Sequence, residues 1–143
     1  MRTVFADTLY WIAIVRPNDP WTEPAKKAKS TTGNARIVTT DEVLIEFLNA
    51  LASGGEHLRR QGAKMVKAIL QNPNVRVLAQ SRDSFLRGIE FYEGRADKEY
   101  SLTDCISMNA MKADSLTEVL TNDHHFEQEG FVVLMVSEKM AEQ

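Results

Sequence analysis

Residues 101–123 have the sequence SLTDCISMNAMKADSLTEVLTND, and the fold prediction depends on this stretch. Its first half predicts a helix that opens at Ser101, followed by a short polar turn. Its second half predicts a strand over 118–121 that leads into Asn122 and Asp123. Asp104 therefore lies at a helix N-terminus, and Asp123 lies just beyond the C-terminal end of a strand. Ligands of open α/β sheets bind at that end of the strands, so the two acids indicate a ligand site.

The rest of the chain alternates short apolar runs with helical patterns. Thr22 and Thr39 are predicted helix caps, and Glu42 has capping-box spacing from Thr39. The predicted strands are 3–6, 35–38, 75–79, 118–121 and 131–135. The predicted order is β-α-α-β-α-α-β-α-α-β-β, which calls for a mostly parallel five-stranded α/β sheet with helices on both faces.

Size and composition predict a single domain over residues 1–143, with 43% hydrophobic and 26% charged residues. The net charge of −3 does not suggest non-specific binding to nucleic acid or membranes. No stretch approaches the roughly 20 apolar residues of a membrane span. The single cysteine, Cys105, cannot form an internal disulfide and suits a reducing cytoplasm. Its apolar neighbours predict a core thiol rather than a nucleophile.

Two further acids lie in apolar surroundings. Asp7 is the only charge between residues 3 and 15, and Glu46 lies in the middle of an apolar helix. Burying an ionised carboxylate without compensation costs several kcal/mol. Asp7 could be a helix N-cap, although a ligand role is the preferred interpretation. Glu46 is predicted either to be buried with a partner or to face a cleft.

The segments that hold Asp7, Glu46, Asp104 and Asp123 contain no lysine or arginine. Their counter-charge must come from another segment or from a bound ion. Carboxylate oxygens suit hard divalent cations such as Mg²⁺, and such sites hydrolyse phosphodiesters. Capping remains open for Asp104 and Asp123, and for Asp104 the two roles are compatible, since a helix N-terminus favours the ionised form.

Other kinds of site have less support. His124 and His125 could bind a transition metal, but adjacent residues point in different directions and no cysteine accompanies them. The chain contains neither a GxGxxG motif nor a P-loop.

Together these pieces resemble the PIN domain family of metal-dependent ribonucleases, over nearly the whole chain. The matching pieces are Asp7-Thr8 after the first strand, Thr40 to Glu46, Tyr100 to Cys105, and Leu120 to Asp123 before a final strand. The resemblance implies a five-stranded parallel sheet of three-layer α/β/α type. It also implies that Asp7, Glu46, Asp104 and Asp123 converge in one acidic pocket.

The same resemblance implies an endoribonuclease that depends on Mg²⁺ or Mn²⁺ and cuts single-stranded RNA. Thr8 and Asn122 would then orient the metal ligands from a second layer. Many small members are toxins of toxin–antitoxin pairs, dimeric and silenced by an antitoxin that covers the pocket. The alternative is a non-catalytic module on the same fold that binds RNA or a protein partner.

An acidic pocket repels phosphate, so RNA binding would need cations around it. The N-terminal 80 residues carry a net charge of about +4, whereas residues 81–143 carry about −7. Clusters of this kind can be solvated surface or a phosphate track. The candidate RNA-binding residues are Lys26, Lys27, Lys29, Arg59, Arg60, Lys64 and Lys98.

Overall fold

The computed structural model describes residues 2–137, and in that range it contains five strands and seven helices. The strands are β1 (Thr3–Ala6), β2 (Arg36–Thr40), β3 (Val75–Leu78), β4 (Glu118–Leu120) and β5 (Val132–Val133). The helices are α1 (Thr8–Val15), α2 (Thr22–Thr32), α3 (Asp41–Leu51), α4 (Glu56–Gln71), α5 (Arg82–Gly94), α6 (Leu102–Ala113) and α7 (His125–Gln128). The prediction that residues 1–143 form one domain extends beyond the described range and stays a prediction.

The strands form one sheet in the order β3-β2-β1-β4-β5, and every neighbouring pair is parallel. The predicted α/β fold with a five-stranded parallel sheet is therefore confirmed. The chain first builds outward from β1 to β3 and then returns to the other side of β1 with β4. This reversal places a topological switch point between β1 and β4, where ligands of open α/β sheets bind.

The helices cover both faces of the sheet because parallel crossover connections are right-handed. The connections from β1 to β3 move in one direction and place α1 to α4 on one face. The connection from β3 to β4 moves in the opposite direction and places α5 and α6 on the other face, where α5 packs against α6 and α6 against α7. The central strand β1 is enclosed between these layers, so that Val4, Phe5 and Ala6 have no exposed surface.

The structure corrects the predicted boundary between β2 and α3. The cap of α3 is Thr40, whose hydroxyl accepts a hydrogen bond from Val43 N–H at 3.0 Å. The predicted cap, Thr39, instead extends β2 and donates to Ala6 O at 2.9 Å. The prediction that Glu42 serves as a capping partner is also wrong, since its carboxylate accepts a hydrogen bond from Ser84 at 3.2 Å.

Two other boundaries also differ from the prediction. Trp21 rather than Thr22 occupies the N-cap position of α2, and the Thr22 hydroxyl donates to Ala13 O at 2.6 Å, which ties α2 to α1. The last strand is shorter than 131–135, although Leu134 N–H and Met135 N–H still donate to Val119 O and Thr121 O.

Candidate metal centre

Asp7 and β4 meet at the switch point of the sheet. Asp7 follows β1 directly, and its backbone N–H donates to Leu120 O at the end of β4 at 3.2 Å. It occupies the N-cap position of α1, yet its side chain makes no capping hydrogen bond. The capping alternative therefore does not explain why a buried carboxylate stands here.

Thr121 connects two of the predicted acids. Its hydroxyl donates to Asp7 Oδ2 at 2.9 Å and accepts a hydrogen bond from Asp123 N–H at 3.2 Å. Thr121 is fully buried. Because one hydroxyl contacts both residues, it fixes the Asp7 carboxylate relative to the loop that follows β4. Thr121 was not predicted to have this role, because a threonine at a strand end is only a weak signal.

Asp104 is held by the first turn of α6. Its backbone N–H donates to the Ser101 hydroxyl, and its Oδ2 accepts a hydrogen bond from Ser101 N–H, both at 3.0 Å. The capping alternative for Asp104 is therefore confirmed, as a capping box with Ser101. The capped carboxylate is buried and still lies beside Asp123 and His125, so capping and ligand roles are compatible in this geometry.

The pKa shifts show that the four acids share one electrostatic environment. Burial, together with the negative charges of Asp104 and Glu46, raises the pKa of Asp7 to about 7. Burial also raises the pKa of Asp104; the Ser101 hydrogen bond opposes this shift, whereas the charges of Asp123 and Glu46 add to it. The structure thus brings Asp7, Glu46, Asp104 and Asp123 into one acidic cluster.

Glu46 reaches this cluster from α3 and is partly buried, as a residue facing a cleft would be. It lies on the wall of a groove of about 270 Å³ between α3, α5 and the start of α6. Among residues 2–137, no lysine or arginine forms an ion pair with any of the four acids. Within the described residues, lysine and arginine side chains therefore do not neutralise the charge of the acids.

Of the described residues, only His125 can carry a positive charge and also lies within ion-pair distance of the acidic cluster. Its Nδ1 lies 3.2 Å from Asp123 Oδ1 and 3.4 Å from Asp104 Oδ2. His124 points away and approaches Glu127 at 3.4 Å. The expectation that the two histidines point differently is thus correct. The conclusion drawn from it was incomplete, because His125 alone can join the carboxylates.

Several buried polar atoms around the cluster lack a hydrogen-bond partner. They are the side-chain atoms Asp7 Oδ1, Thr8 Oγ1, Asn122 Oδ1 and His125 Nδ1. Leaving a buried polar atom unpaired costs about 1–3 kcal/mol. A divalent cation would satisfy the carboxylate oxygen and offset the mutual repulsion of the acids. The oxygen-rich donor set suits Mg²⁺ or Mn²⁺.

The candidate RNA-binding residues lie on the surface, outside the cluster. Lys26 pairs with Glu23 at 3.7 Å, Lys29 donates to Gly33 O at 2.9 Å, and Arg59 donates to Ala52 O at 2.9 Å. Arg60 pairs with Glu56, and Lys98 lies 3.6 Å from Asp97. Lys27 and Lys64 are exposed.

Fold and site together define a parallel α/β domain with an acidic cluster at its switch point. The family model described as the PIN domain matches residues 4–131, and the chain belongs to this family. No curated protein matches the chain in sequence. Within residues 2–137, no helix combines the length and apolar character that crossing a membrane requires.

Three solved structures illustrate the likeness of fold. The crystal structure of Mycobacterium tuberculosis VapC20, a sarcin-ricin loop cleaving toxin, has a TM-score of 0.80 at 24% identity, covering 90% of this chain and 96% of that one. VapBC2 from Rickettsia felis, bound to a promoter DNA fragment, has a TM-score of 0.65 at 11% identity, covering 92% and 96%. FitAcB from Neisseria gonorrhoeae has a TM-score of 0.63 at 15% identity, covering 94% and 97%.

Proposed function

We propose that this chain is a divalent-metal-dependent endoribonuclease that hydrolyses phosphodiester bonds in single-stranded RNA. One observation carries the proposal: four acids converge at the switch point of a PIN fold, and the described residues place no lysine or arginine against them. Such a cluster is costly in the folded protein unless it holds a cation. Function rather than stability is therefore the physical reason for its presence.

In this proposal Asp7, Glu46, Asp104 and Asp123 hold the metal. When bound, such an ion stabilises the charge of a phosphodiester and lowers the pKa of a water. Thr121 fixes the orientation of the Asp7 carboxylate through its hydrogen bond. Thr8 and Asn122, whose buried oxygens lack partners, are placed to orient ligands or water around the site.

Removing divalent metal is expected to abolish RNA cleavage and lower the melting temperature. The purified chain would be treated with EDTA, and cleavage of labelled single-stranded RNA would be followed after Mg²⁺ or Mn²⁺ is restored. A sarcin–ricin hairpin serves as a second substrate, because VapC20 cleaves that loop. Metal that binds only the folded protein raises its free energy of unfolding, by about 2.7 kcal/mol when the metal concentration is a hundred times Kd. Undiminished cleavage in EDTA would exclude metal dependence, and RNA binding without cleavage would favour a non-catalytic module.

The toxin role extends the same proposal. The Rickettsia and Neisseria structures of this fold are VapBC2 and FitAcB assemblies. We propose that this chain acts in the cytoplasm and is silenced by an antitoxin that covers the acidic cluster. The gene beside it would then encode a small protein with a DNA-binding pattern, and co-expression should relieve growth arrest. Growth arrest that persists with that neighbour present would contradict the pairing.

We further propose that RNA contacts the cations nearest the carboxyl edge of the sheet. The C-terminal end of α4 leads into the start of β3, so Arg59 and Arg60 in its first turns lie toward the edge that holds the acids. In contrast, α2 ends where Arg2 donates to Thr31 O beside the start of β1, which places Lys29 toward the opposite edge. Lys98 lies in the loop before α6, close to the cluster in sequence.

Replacing Arg59 and Arg60 together by glutamine is expected to weaken RNA binding several-fold. Phosphate contacts release counterions, so the salt dependence of binding should become shallower by roughly one unit per lost contact, while the cleaved sequence stays the same. Fluorescence anisotropy over a salt series measures this. The matched control is the double replacement of Lys26 and Lys29. An equal effect in both variants would show that the cations act only through net charge.

We propose that the chain forms a homodimer through the exposed apolar face of α5. Phe85, Leu86, Ile89 and Tyr92 are all substantially exposed on this helix, and Ile45 of α3, also exposed, lines a groove together with Phe85. Exposed apolar patches of this kind mark interaction surfaces. Asp83 and Arg87 on the same helix carry opposite charges, which suits a self-complementary contact between two copies.

Leu86→Glu is therefore expected to convert a dimer into a monomer in light scattering, because it buries a charge in the contact. Leu70→Glu is the matched control, since Leu70 on α4 is similarly exposed, at 56% against 51% for Leu86, but lies outside this face. A wild-type monomer at micromolar concentration, or a dimer that survives Leu86→Glu, would contradict the proposal.

A further inference from the structure

The proposed metal site of four carboxylates gives no role to His125, although this residue lies beside two of them. It opens α7, and its backbone N–H donates to Asp123 Oδ1 at 2.9 Å. One potential ligand atom from each of Asp104, Asp123 and His125 lies within 4.8 Å of the others. A single ion could therefore contact all three side chains at once.

The imidazole is fixed in this position from two sides. The Tyr100 ring packs edge-on against it with a centroid distance of 5.4 Å and an interplanar angle of 61°. The backbone hydrogen bond to Asp123 sets the start of the helix. The side chain is only 29% exposed, whereas that of the neighbouring His124 is 62% exposed. The ring is thus held toward the acids rather than toward solvent.

Two of the four unpaired buried atoms around the cluster are potential metal ligands. His125 Nδ1 is enclosed and lies near both carboxylates, yet it is not aligned for a hydrogen bond with either. Asp7 is almost wholly buried, and its Oδ1 has no partner either. A site complete without a ligand would pair these atoms. One nitrogen and one oxygen are left unpaired beside the same cluster. This indicates a bound ion that can be coordinated by both kinds of atom.

We propose that His125 donates Nδ1 to the divalent ion, so that the site has a mixed nitrogen and oxygen ligand set rather than an all-carboxylate one. This inference rests on the proposed metal-dependent function and refines its cofactor. Mg²⁺ and Mn²⁺ both suit carboxylates and water, whereas imidazole is a ligand of transition metals, the class to which only Mn²⁺ of the two belongs. A histidine ligand therefore favours Mn²⁺ over Mg²⁺ at this site.

The test uses Mn²⁺ bound to the full-length chain and pulsed electron paramagnetic resonance, which detects a directly bonded nitrogen through its hyperfine coupling. The wild type should show nitrogen coupling that changes when histidine is labelled with the heavier nitrogen isotope. His125→Gln should lose the coupling and bind Mn²⁺ at least about tenfold more weakly. His124→Gln is the matched control and should retain both. Magnesium competition should displace Mn²⁺ more readily from the His125 variant.

The outcomes separate this inference from the proposed function. Bound Mn²⁺ without nitrogen coupling in the wild type would overturn the histidine ligand while leaving a metal-dependent nuclease intact. Coupling that persists in a folded His125→Gln protein would also overturn it. Failure of the wild type to bind Mn²⁺ or Mg²⁺ would overturn both. If the His125 variant does not fold, histidine labelling of the His124→Gln protein still decides, because His57 of α4 is then the one other histidine in the sequence.

Discussion

Asp104→Asn is expected to reduce RNA cleavage by at least about a hundredfold while leaving the fold intact. Asp104 contacts the cluster through its carboxylate, which lies beside Asp123 and His125. An amide removes the negative charge that a cation requires. Its oxygen can still accept the Ser101 hydrogen bond that caps α6, so the helix start should persist.

The measurement is single-turnover cleavage of labelled RNA at saturating Mn²⁺, with metal binding followed in parallel. Asp97→Asn is the matched control, because this acid is exposed in the loop before α6 and pairs only with Lys98 among the described residues. The control should cleave like the wild type. Full cleavage by both Asp104→Asn and Asp7→Asn, in preparations free of other nucleases, would refute the assignment of the acids.

The four acids could be predicted because each interrupts an apolar or cation-free segment, and burial of an unpaired charge is costly wherever it occurs. Their convergence could not be predicted from local pattern. Asp7 and Asp123 approach each other because β4 inserts beside β1, and the hydrogen bond from Asp7 N–H to Leu120 O spans more than a hundred residues. Only the family resemblance implied that Asp7 and Asp123 lie close together.

Prediction from local sequence failed where two neighbouring residues were equally suited to cap the same helix. Thr39 and Thr40 are equally good caps by residue type. The choice between them depends on Trp11, whose indole lies 3.4 Å from the Thr39 hydroxyl, and on Ala6 O, which accepts from that hydroxyl. Both partners come from elements distant in sequence. For the same reason His125 received little support from the sequence, since the Asp104 carboxylate that it approaches belongs to a different helix.

Asp7→Asn is expected to stabilise the metal-free protein by up to about 4 kcal/mol at pH 8. Burial and the charge of Asp104 raise the pKa of Asp7 from 3.8 to about 7. Below about pH 4 the folded and unfolded chains both hold the proton, and the effect is absent. Between about pH 4 and pH 7 only the folded chain holds it, so stability falls as pH rises. Above pH 7 both states are ionised and the full cost of the buried charge remains.

Asparagine has no such charge, and its oxygen can accept the hydrogen bond from Thr121. Urea unfolding in EDTA at pH 4 and pH 8 would measure the difference, which should be near zero at the lower pH and largest at the higher one. Saturating Mn²⁺ should reverse the order, because only the wild type gains the full binding free energy. If Asp7→Asn were less stable than the wild type at pH 8 without metal, the Asp7 carboxylate would be stabilising the fold. The acidic cluster would then need no cation to offset it.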